Sequence, residues 1–330
     1  MSIKKPVLDP SFYEPSLLWT ALNITYGLVM FLVFSWLNYQ TAIVDWPILL
    51  KAVLMIPFTT LSAIGLYVLA ALGHDAMHGN LCKNEKMSLA IGLFFSSSVL
   101  TYIDMGFVVR HWAHHRYTNK VNDPDIYPAA HLTNWWQRLF MSRLLFNLVY
   151  LKNAFFMAIG KLEHVEKYKT PLSSNELIFF SRLNFLFASL WLAAYTAVTL
   201  YDWRIALFGI LLPSLILALL AGCQSYLDHA GLGDEEFNNS YSRTSPLMSV
   251  IYFGSNYHLE HHLYPKVPGY RLPKVHKILL ESGIYEEAQP PVISGFLEAY
   301  KTLTMDSSPL ASTTQELEKH HQPVLHGMNN

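Results

Sequence analysis

Eight of the fifteen histidines fall into three short motifs whose spacing can place their side chains together. Residues 74–78 read HDAMH, residues 111–115 read HWAHH, and residues 258–262 read HLEHH. In a helix, positions i, i+3 and i+4 lie on one face, so the imidazoles of each motif point the same way. Imidazoles grouped on one face pack poorly but are good ligands for a transition metal. The spacing therefore predicts metal binding by His74, His78, His111, His114, His115, His258, His261 and His262.

The number of histidines bears on which metal they would bind. A tetrahedral zinc ion takes four ligands, so eight imidazoles suit two ions. Nitrogen-rich coordination with open positions suits iron that activates dioxygen. Carboxylates beside the motifs are expected to orient the imidazoles through their N–H groups, and the candidates are Asp75, Asp123, Asp125 and Glu260. For Asp123 and Asp125, in the segment NDPD, simple turn formation is the alternative.

The composition indicates a membrane protein. The apolar share is 52% and the charged share only 14%, whereas soluble domains average about 25% charged residues. The formal net charge is −1, and no basic stripe suggests nucleic-acid binding. Cys82 and Cys223 are far apart in the sequence, so they predict neither a disulfide scaffold nor a zinc site.

Four apolar segments are long enough to be transmembrane helices, at residues 17–37, 47–72, 178–200 and 205–223. These predict an all-α, multi-pass integral membrane protein. Eleven lysines and arginines lie in residues 73–177, whereas the loop at residues 38–46 has none. Because basic loops favour the cytoplasm, the central loop and both termini are expected there. Four crossings also place all three histidine motifs on that one side, so the predicted active site is cytoplasmic.

Two further apolar segments are not counted as crossings. If residues 89–109 crossed, the first two motifs would lie on opposite sides of the membrane. This segment is therefore predicted to be a re-entrant hairpin or a pair of half-buried helices, with its turn near residues 96–98 and with protein covering the irregular backbone. Residues 139–159 are expected to form an interfacial helix. Residues 1–305 then form one membrane-embedded domain with a cytosolic helical cap, and the polar tail at residues 306–330 is expected to be disordered.

The three motifs and their flanks resemble the membrane fatty acid desaturase superfamily, whose histidine boxes are HxxxH, HxxHH and HxxHH. The flanks that match are GNL after the first box, RYTN and DPD after the second, and NY, LYP and RLP around the third. The resemblance covers approximately residues 66–276. It implies a non-haem di-iron centre on the cytoplasmic side of four transmembrane helices.

The resemblance also adds residues to the predicted site. Members of the family typically have a ninth histidine ligand between the last span and the third box, and His229 stands at that place. Some desaturases carry an asparagine four residues before this histidine, which holds a metal-bound water; here Ser225, with Gln224 beside it, departs from that pattern. Asn256, in the flank of the third box, joins the four carboxylates as a residue expected to support the ligands.

The chemistry that the resemblance implies is oxidation of a lipid. Two irons would split dioxygen and remove hydrogens from adjacent carbons of a long-chain fatty-acyl lipid, which leaves a double bond. The protein would position one methylene and exclude water. Electrons are expected from an external carrier of the cytochrome b5 or ferredoxin type, whose acidic surface would suit the basic central loop.

Two alternatives stay open. The first box is also similar to that of bacterial carotenoid ketolases, and the third box with its flanks is similar to carotene hydroxylases. A hydroxylase or ketolase of carotenoids or other lipids is therefore the close alternative. A metal transporter is the alternative from another class, but its ligands should lie inside the spans near the midplane, whereas these motifs lie past the span ends.

Overall fold

The protein is predominantly helical in the computed structural model, which describes residues 3–100, 102–120, 122–125, 131–221 and 224–305. The long helices are α1 (Leu17–Ile43), α2 (Ile48–Met77), α3 (Glu85–Ser96), α4 (Asp104–Tyr117), α5 (Trp135–Ala158) and α6 (Ser174–Tyr201). The shorter ones are α7 (Trp203–Ile205), α8 (Leu212–Ala221), α9 (Gln224–His229), α10 (Pro246–Ile251), α11 (His258–Leu263), α12 (Leu272–Glu281), α13 (Ile284–Glu287) and α14 (Phe296–Ala299). Strands β1 (Ser242–Arg243) and β2 (Val292–Ile293) form a small parallel pair. The helical class is as predicted.

Three helical segments are long and apolar enough to cross a membrane: Pro10–Ile43, α2 and α6. They contain the first three predicted spans. The fourth apolar segment is helical over Trp203–Leu219 but shorter than these three, and a π-helical turn at Ala206–Leu211 interrupts its α-helical geometry. The fourth crossing, the cytosolic cap and the cytoplasmic placement of the termini therefore stay predictions.

Helices α1 and α2 pack closely because small residues lie at their contact. A Cβ added at Gly65 would overlap the backbone of α1 at Phe31 and Gly27. The Ser35 and Ser62 hydroxyls are 2.8 Å apart across the same contact. Small residues and hydroxyl pairs of this kind hold helices together in lipid, where apolar burial gives little driving force. This helix pair fixes the end of α2, which carries the first histidine motif.

The segment at residues 89–109 is broken into two helices, as predicted. Helix α3 ends at Ser96 and α4 begins at Asp104, and neither is long enough to span a bilayer. Side chains of α6 satisfy the backbone of the break: Asn184 Oδ1 accepts a hydrogen bond from Met105 N at 3.0 Å, and the Tyr195 hydroxyl donates to Ser98 O at 2.6 Å. Protein thus covers the irregular backbone, which is the condition for placing it at membrane depth.

Helix α5 presents an apolar face that no other described part of the protein covers. The exposed side chains recur every three or four residues, which places them on one side of the helix. They are Trp136, Phe140, Leu144, Leu148, Leu151 and Phe155. This pattern fits the predicted interfacial helix at residues 139–159.

The amino-terminal segment lies against the carboxyl-terminal part of the chain. Lys5 Nζ donates to Leu263 O at 2.8 Å, the Tyr264 hydroxyl donates to Pro6 O at 2.6 Å, and Leu8 is buried among apolar residues of α11 and α12. This contact clamps α11, which carries the third histidine motif. The predicted disordered tail, residues 306–330, lies outside the described residues.

Gly106 offers a test of how tightly α4 must pack on α5. A methyl group added there would overlap the backbone carbonyl of Tyr150, so we expect Gly106→Ala to destabilise the protein by about 1–3 kcal/mol. Thermal unfolding of the detergent-purified protein measures the effect. Gly233→Ala is the control, since nothing lies within 4 Å of the added carbon. Equal unfolding midpoints for the two variants would contradict close packing of α4 on α5.

Candidate metal centre

The structure brings all nine histidines of the predicted site together and divides them into two groups. His74, His78, His111, His115 and His261 form the five-histidine group, and His114, His229, His258 and His262 form the four-histidine group. Within each group, one nitrogen atom from every imidazole lies within 4.8 Å of the others. Either group could hold a metal ion, so the arrangement offers two sites side by side.

The nitrogen atoms converge at short distances. In the five-histidine group, His111 Nε2 lies 3.1 Å from His74 Nε2 and 3.0 Å from His115 Nε2. In the four-histidine group, His229 Nε2 lies 3.2 Å from His114 Nε2 and 3.0 Å from His258 Nε2. Because all these contacts use Nε2, the rings point their outer nitrogens at a shared centre.

These separations also fit imidazoles that share a metal ion. Two nitrogens that bind one metal at about 2.1 Å lie about 3.0 Å apart at a right angle and about 3.4 Å apart at the tetrahedral angle. The observed 3.0–3.2 Å lies within this range. His78 supports the same conclusion, since both of its ring nitrogens are buried without a hydrogen-bond partner among the described residues.

Helical periodicity explains how the boxes are shared between the groups. In α4, His111 and His115 are four residues apart and belong to the five-histidine group, whereas His114 faces the four-histidine group. Helix α11 repeats the pattern in the opposite sense: His258 and His262 share the four-histidine group, and His261 faces the other. The two helices therefore stand between the sites, and each contributes ligands to both.

Burial prepares most of these imidazoles to act as ligands. Removal from water disfavours the charged ring and lowers the pKa of six histidines well below the usual value, namely His78, His111, His115, His258, His261 and His262. The same cause lowers the pKa of His229 to about 3. A neutral imidazole has a free lone pair on one nitrogen, which is the form that binds a metal.

Asp123 orients one ligand and braces the loop after α4. Burial opposes charging of His114, but the Asp123 carboxylate beside it raises the pKa of His114 to about 9. Both carboxylate oxygens lie 2.9 Å from His114 Nδ1, and they also accept from the backbone N–H groups of Asn119 and Asp125. Asp123 thus fixes the proton on Nδ1 and turns Nε2 toward the four-histidine group. The alternative role of Asp123 in turn formation is also correct, because the same carboxylate both contacts His114 and accepts hydrogen bonds from the backbone of the turn.

The other predicted carboxylates lie at greater distances from the imidazoles. Asp75 Oδ1 is 3.3 Å from His74 Nδ1, which is a long hydrogen bond. Asp125 Oδ2 is 3.8 Å from His111 Nδ1 and its other oxygen is 3.7 Å from Arg110 Nε, so Asp125 makes no hydrogen bond to the His111 ring. Asp125 also lines a cavity beside the histidines.

Glu260 and Asn256 do not orient imidazoles of the site, and the expectation for both is corrected. The buried Glu260 carboxylate accepts from Tyr285 at 2.7 Å, lies 2.6 Å from His276 Nδ1 and also binds Ser242. The Asn256 amide donates to the Arg243 carbonyl and to Ser249 Oγ. Both residues therefore hold α11 against its neighbours, a long-range role that the spacing within the motif does not encode.

Sequence reasoning missed three supports of the four-histidine group. The Asn239 carbonyl lies 2.8 Å from His229 Nδ1, and the Thr118 hydroxyl lies 3.2 Å from His262 Nδ1. Asp228 is paired with Arg243 at 2.7 Å and accepts from Gln224 at 2.8 Å, and its second oxygen lies 3.8 Å from His258 Nε2. Of these, only Asp228 had a local signal, because it directly precedes His229.

The cavity beside the histidines has a volume of about 220 Å³ and reaches both groups. His74 and His111 of one group and His114, His229 and His258 of the other form part of its wall. The remaining wall comes mainly from α2, α4, α5, α8 and the α3–α4 connection and is largely apolar, with Phe107, Phe146, Val99 and Leu217 among its residues. A long apolar molecule in this cavity could therefore present one carbon to the two groups.

The sequence profile described as "Fatty acid desaturase" matches residues 45–296, which include both groups and the cavity. The chain belongs to the fatty acid desaturase family. The resemblance of the three histidine boxes is thereby confirmed, and it places the protein among oxidoreductases.

Relatives of this desaturase-family chain include carotene-modifying enzymes. It is 27% identical over 234 residues to a beta-carotene ketolase of Paracoccus sp. (strain PC1). The aligned region covers 69% of this chain and 80% of the ketolase. It is 24% identical over 251 residues to a beta-carotene 4-ketolase of Protosiphon botryoides. The aligned region covers 73% of this chain and 55% of that ketolase. Another Paracoccus beta-carotene ketolase, from strain N81106 / MBIC 01143, is 26% identical over 220 residues.

Proposed function

We propose that the chain catalyses O2-dependent desaturation of a long-chain fatty-acyl lipid at a non-haem di-iron centre. The observation that carries this proposal is the apolar cavity that ends on two adjacent groups of convergent imidazoles. Two iron ions held by these groups would activate dioxygen and supply an oxidant for an unactivated C–H bond. All nine histidines are proposed as ligands, five for one ion and four for the other.

The residues around the two histidine groups have two proposed roles: they orient the imidazoles and they position the substrate. Asp123 and the Asn239 carbonyl hold protons on the Nδ1 atoms of His114 and His229, so that both rings keep Nε2 available. The wall residues Phe107 and Tyr150, whose ring centroids are 5.5 Å apart, hold an apolar chain beside the imidazoles and exclude water from it.

The overall reaction requires two electrons and two protons for each double bond, because both atoms of dioxygen leave as water. We propose an external electron donor of the cytochrome b5 or ferredoxin type, docked on the cytoplasmic side of a multi-pass membrane protein. The basic residues of the segment between α2 and α6 support an acidic partner.

A second candidate is oxygen insertion, in which the chain hydroxylates a carotenoid or another lipid, or forms a ketone after two rounds. The specific observation that favours it is the set of beta-carotene ketolase relatives. The same two ions and the same cavity would serve this reaction, since both outcomes begin with removal of one hydrogen and differ only in the step after it.

Mass spectrometry of lipids and pigments separates the two candidates. The host should make both acyl lipids and beta-carotene and supply an electron donor, and cells that express His261→Ala are the control. We expect acyl chains lighter by two hydrogen atoms in wild-type cells and none in the control. Products that gain one oxygen atom, with loss of two hydrogen atoms where a ketone forms, would support the second candidate instead. Absence of any product that depends on His261 would overturn both.

A further inference from the structure

One wall of the cavity carries a positive charge that the proposed chemistry does not use. Arg143 of α5 and Tyr102 of the α3–α4 connection both line the cavity, and the Arg143 guanidinium carbon lies 4.1 Å from the centroid of the Tyr102 ring. A guanidinium that faces a cavity filled only by hydrocarbon would lose hydration without replacement. Its presence indicates that an occupant of the cavity carries oxygen.

The fully buried arginines show by contrast what the partly buried Arg143 lacks. Arg243 pairs with Asp228 at 2.7 Å, Arg138 donates to the Leu132 carbonyl at 3.0 Å, and Arg110 donates to the Tyr168 hydroxyl at 3.0 Å. Among the described residues, the close contact of Arg143 is with an aromatic ring and not with an oxygen. Its N–H groups therefore remain available for a ligand in the cavity.

Asp104 interacts with this charge, but burial weakens the charge of its own carboxyl. Asp104, at the start of α4, is close enough to Arg143 to interact electrostatically, but burial raises the pKa of its carboxyl to about 7. A substantial part of the Asp104 population is then uncharged at neutral pH. The contact of Arg143 with the Tyr102 ring is not a hydrogen bond, and the N–H groups of a guanidinium are the part that fits a carboxylate or an ester.

The position of Arg143 also suits a substrate that reaches the histidines with its chain. Tyr150 packs on Phe107 at 5.5 Å between ring centroids, and Phe107 packs on His111 at 4.6 Å. Arg143 lies seven residues before Tyr150 on α5, a rise of about 10 Å along the helix. A chain of several methylenes would bridge that distance.

We propose that Arg143, held against Tyr102, binds the carboxylate or ester oxygen of the acyl substrate inside the cavity and so selects an oxygen-bearing lipid over a pure hydrocarbon. The inference rests on the proposed function, because it identifies the substrate class of the same site. Arg143 is a specificity-determining residue in this scheme and takes no part in the chemistry at the metal ions.

Ligand binding tests the inference without turnover. Stearic acid and octadecane are titrated in the same detergent micelles into purified protein, with intrinsic tryptophan fluorescence as the signal. We expect Arg143→Met to weaken stearic acid binding about tenfold or more, since a hydrogen bond to a charged group is lost, and to leave octadecane binding unchanged. Arg143→Lys should retain part of the affinity. Lys152→Met, which removes an exposed charge from the same helix, should bind both probes as the wild type does.

Turnover in the host that makes both substrates gives a second readout. Arg143→Met should lower the acyl product relative to wild type and leave any beta-carotene product unchanged. Equal affinity of wild type and Arg143→Met for stearic acid would overturn the inference, as would a selective loss of oxygenated carotenoid products. If stearic acid binding depends on Arg143 but wild-type cells form no acyl product, the proposed function fails while the binding site stands.

Discussion

Replacing His229 with alanine is expected to abolish product formation and to release one of the two iron ions that we propose. His229 lies in the middle of the four-histidine group, with its Nε2 atom 3.2 Å from that of His114 and 3.0 Å from that of His258. Loss of even a hydrogen-bond partner of a ligand typically costs about 10–100-fold in affinity or activity. Loss of the ligand itself should exceed the upper end of that range.

The His229→Ala experiment needs two measurements on the same preparation. Iron content of the purified protein should fall from about two to about one per chain, because the five-histidine group keeps all its members. Product formation in cells should become undetectable. His164→Ala is the matched control, since His164 packs on Phe156 and belongs to neither histidine group. Retention of wild-type product and iron content by His229→Ala would remove His229 from the ligand set.

A second large loss of product formation is expected when Asp123 is replaced with asparagine. Its buried carboxylate contacts His114 Nδ1 and accepts from the backbone N–H groups of Asn119 and Asp125. In Asp123→Asn, one oxygen becomes an N–H donor and the charge that holds the His114 proton is gone. We expect product formation to fall about 10–100-fold, with weaker iron binding in the four-histidine group.

A metal titration separates this effect from misfolding. Asp123→Asn should regain bound iron at higher iron concentrations, because all nine histidines remain. Asp234→Asn, an exposed acid in the loop after α9, is the control and should behave as the wild type. An Asp123→Asn variant with unchanged activity and unchanged iron affinity would show that the carboxylate only shapes the turn.

The histidine boxes show what sequence spacing can and cannot predict. Helical periodicity predicts that the imidazoles of one box point to the same side, and the structure brings them together. Their division between two groups depends on how α4 and α11 face each other, which is a tertiary feature. The same periodicity nevertheless explains the division in retrospect. The two histidines four residues apart in a box share one group, and the histidine between them, His114 or His261, belongs to the other group.

The residues that support the ligands are harder to predict for a physical reason. Asp123 follows His114 by nine residues and lies in the loop directly after α4, so its role can be inferred locally. Glu260 lies inside a box, but its carboxylate turns away to His276 and Tyr285, which come from α12 and α13. Asn239 supports His229 through a backbone carbonyl, and a carbonyl has no signature in a sequence.

The apolar segments also combine features that the sequence predicts with features that depend on tertiary contacts. Three apolar stretches form helices of sufficient length, and α2 does so although Pro57 lies inside it. The break between α3 and α4 is predictable from the need to keep two histidine motifs on one side. Its stabilisation by Asn184 and Tyr195 depends on a helix almost a hundred residues later, so no local pattern could indicate it.

The short helix α11 has a consequence for the order in which the protein is made. It has only six residues, too few to be stable alone, and it depends on contacts with Lys5, Pro6 and Leu8 from the other end of the chain. Both histidine groups take members from it. Neither histidine group is therefore complete until α11 has been synthesised, and the proposed metal ions would bind only after α11 has packed against the amino-terminal segment.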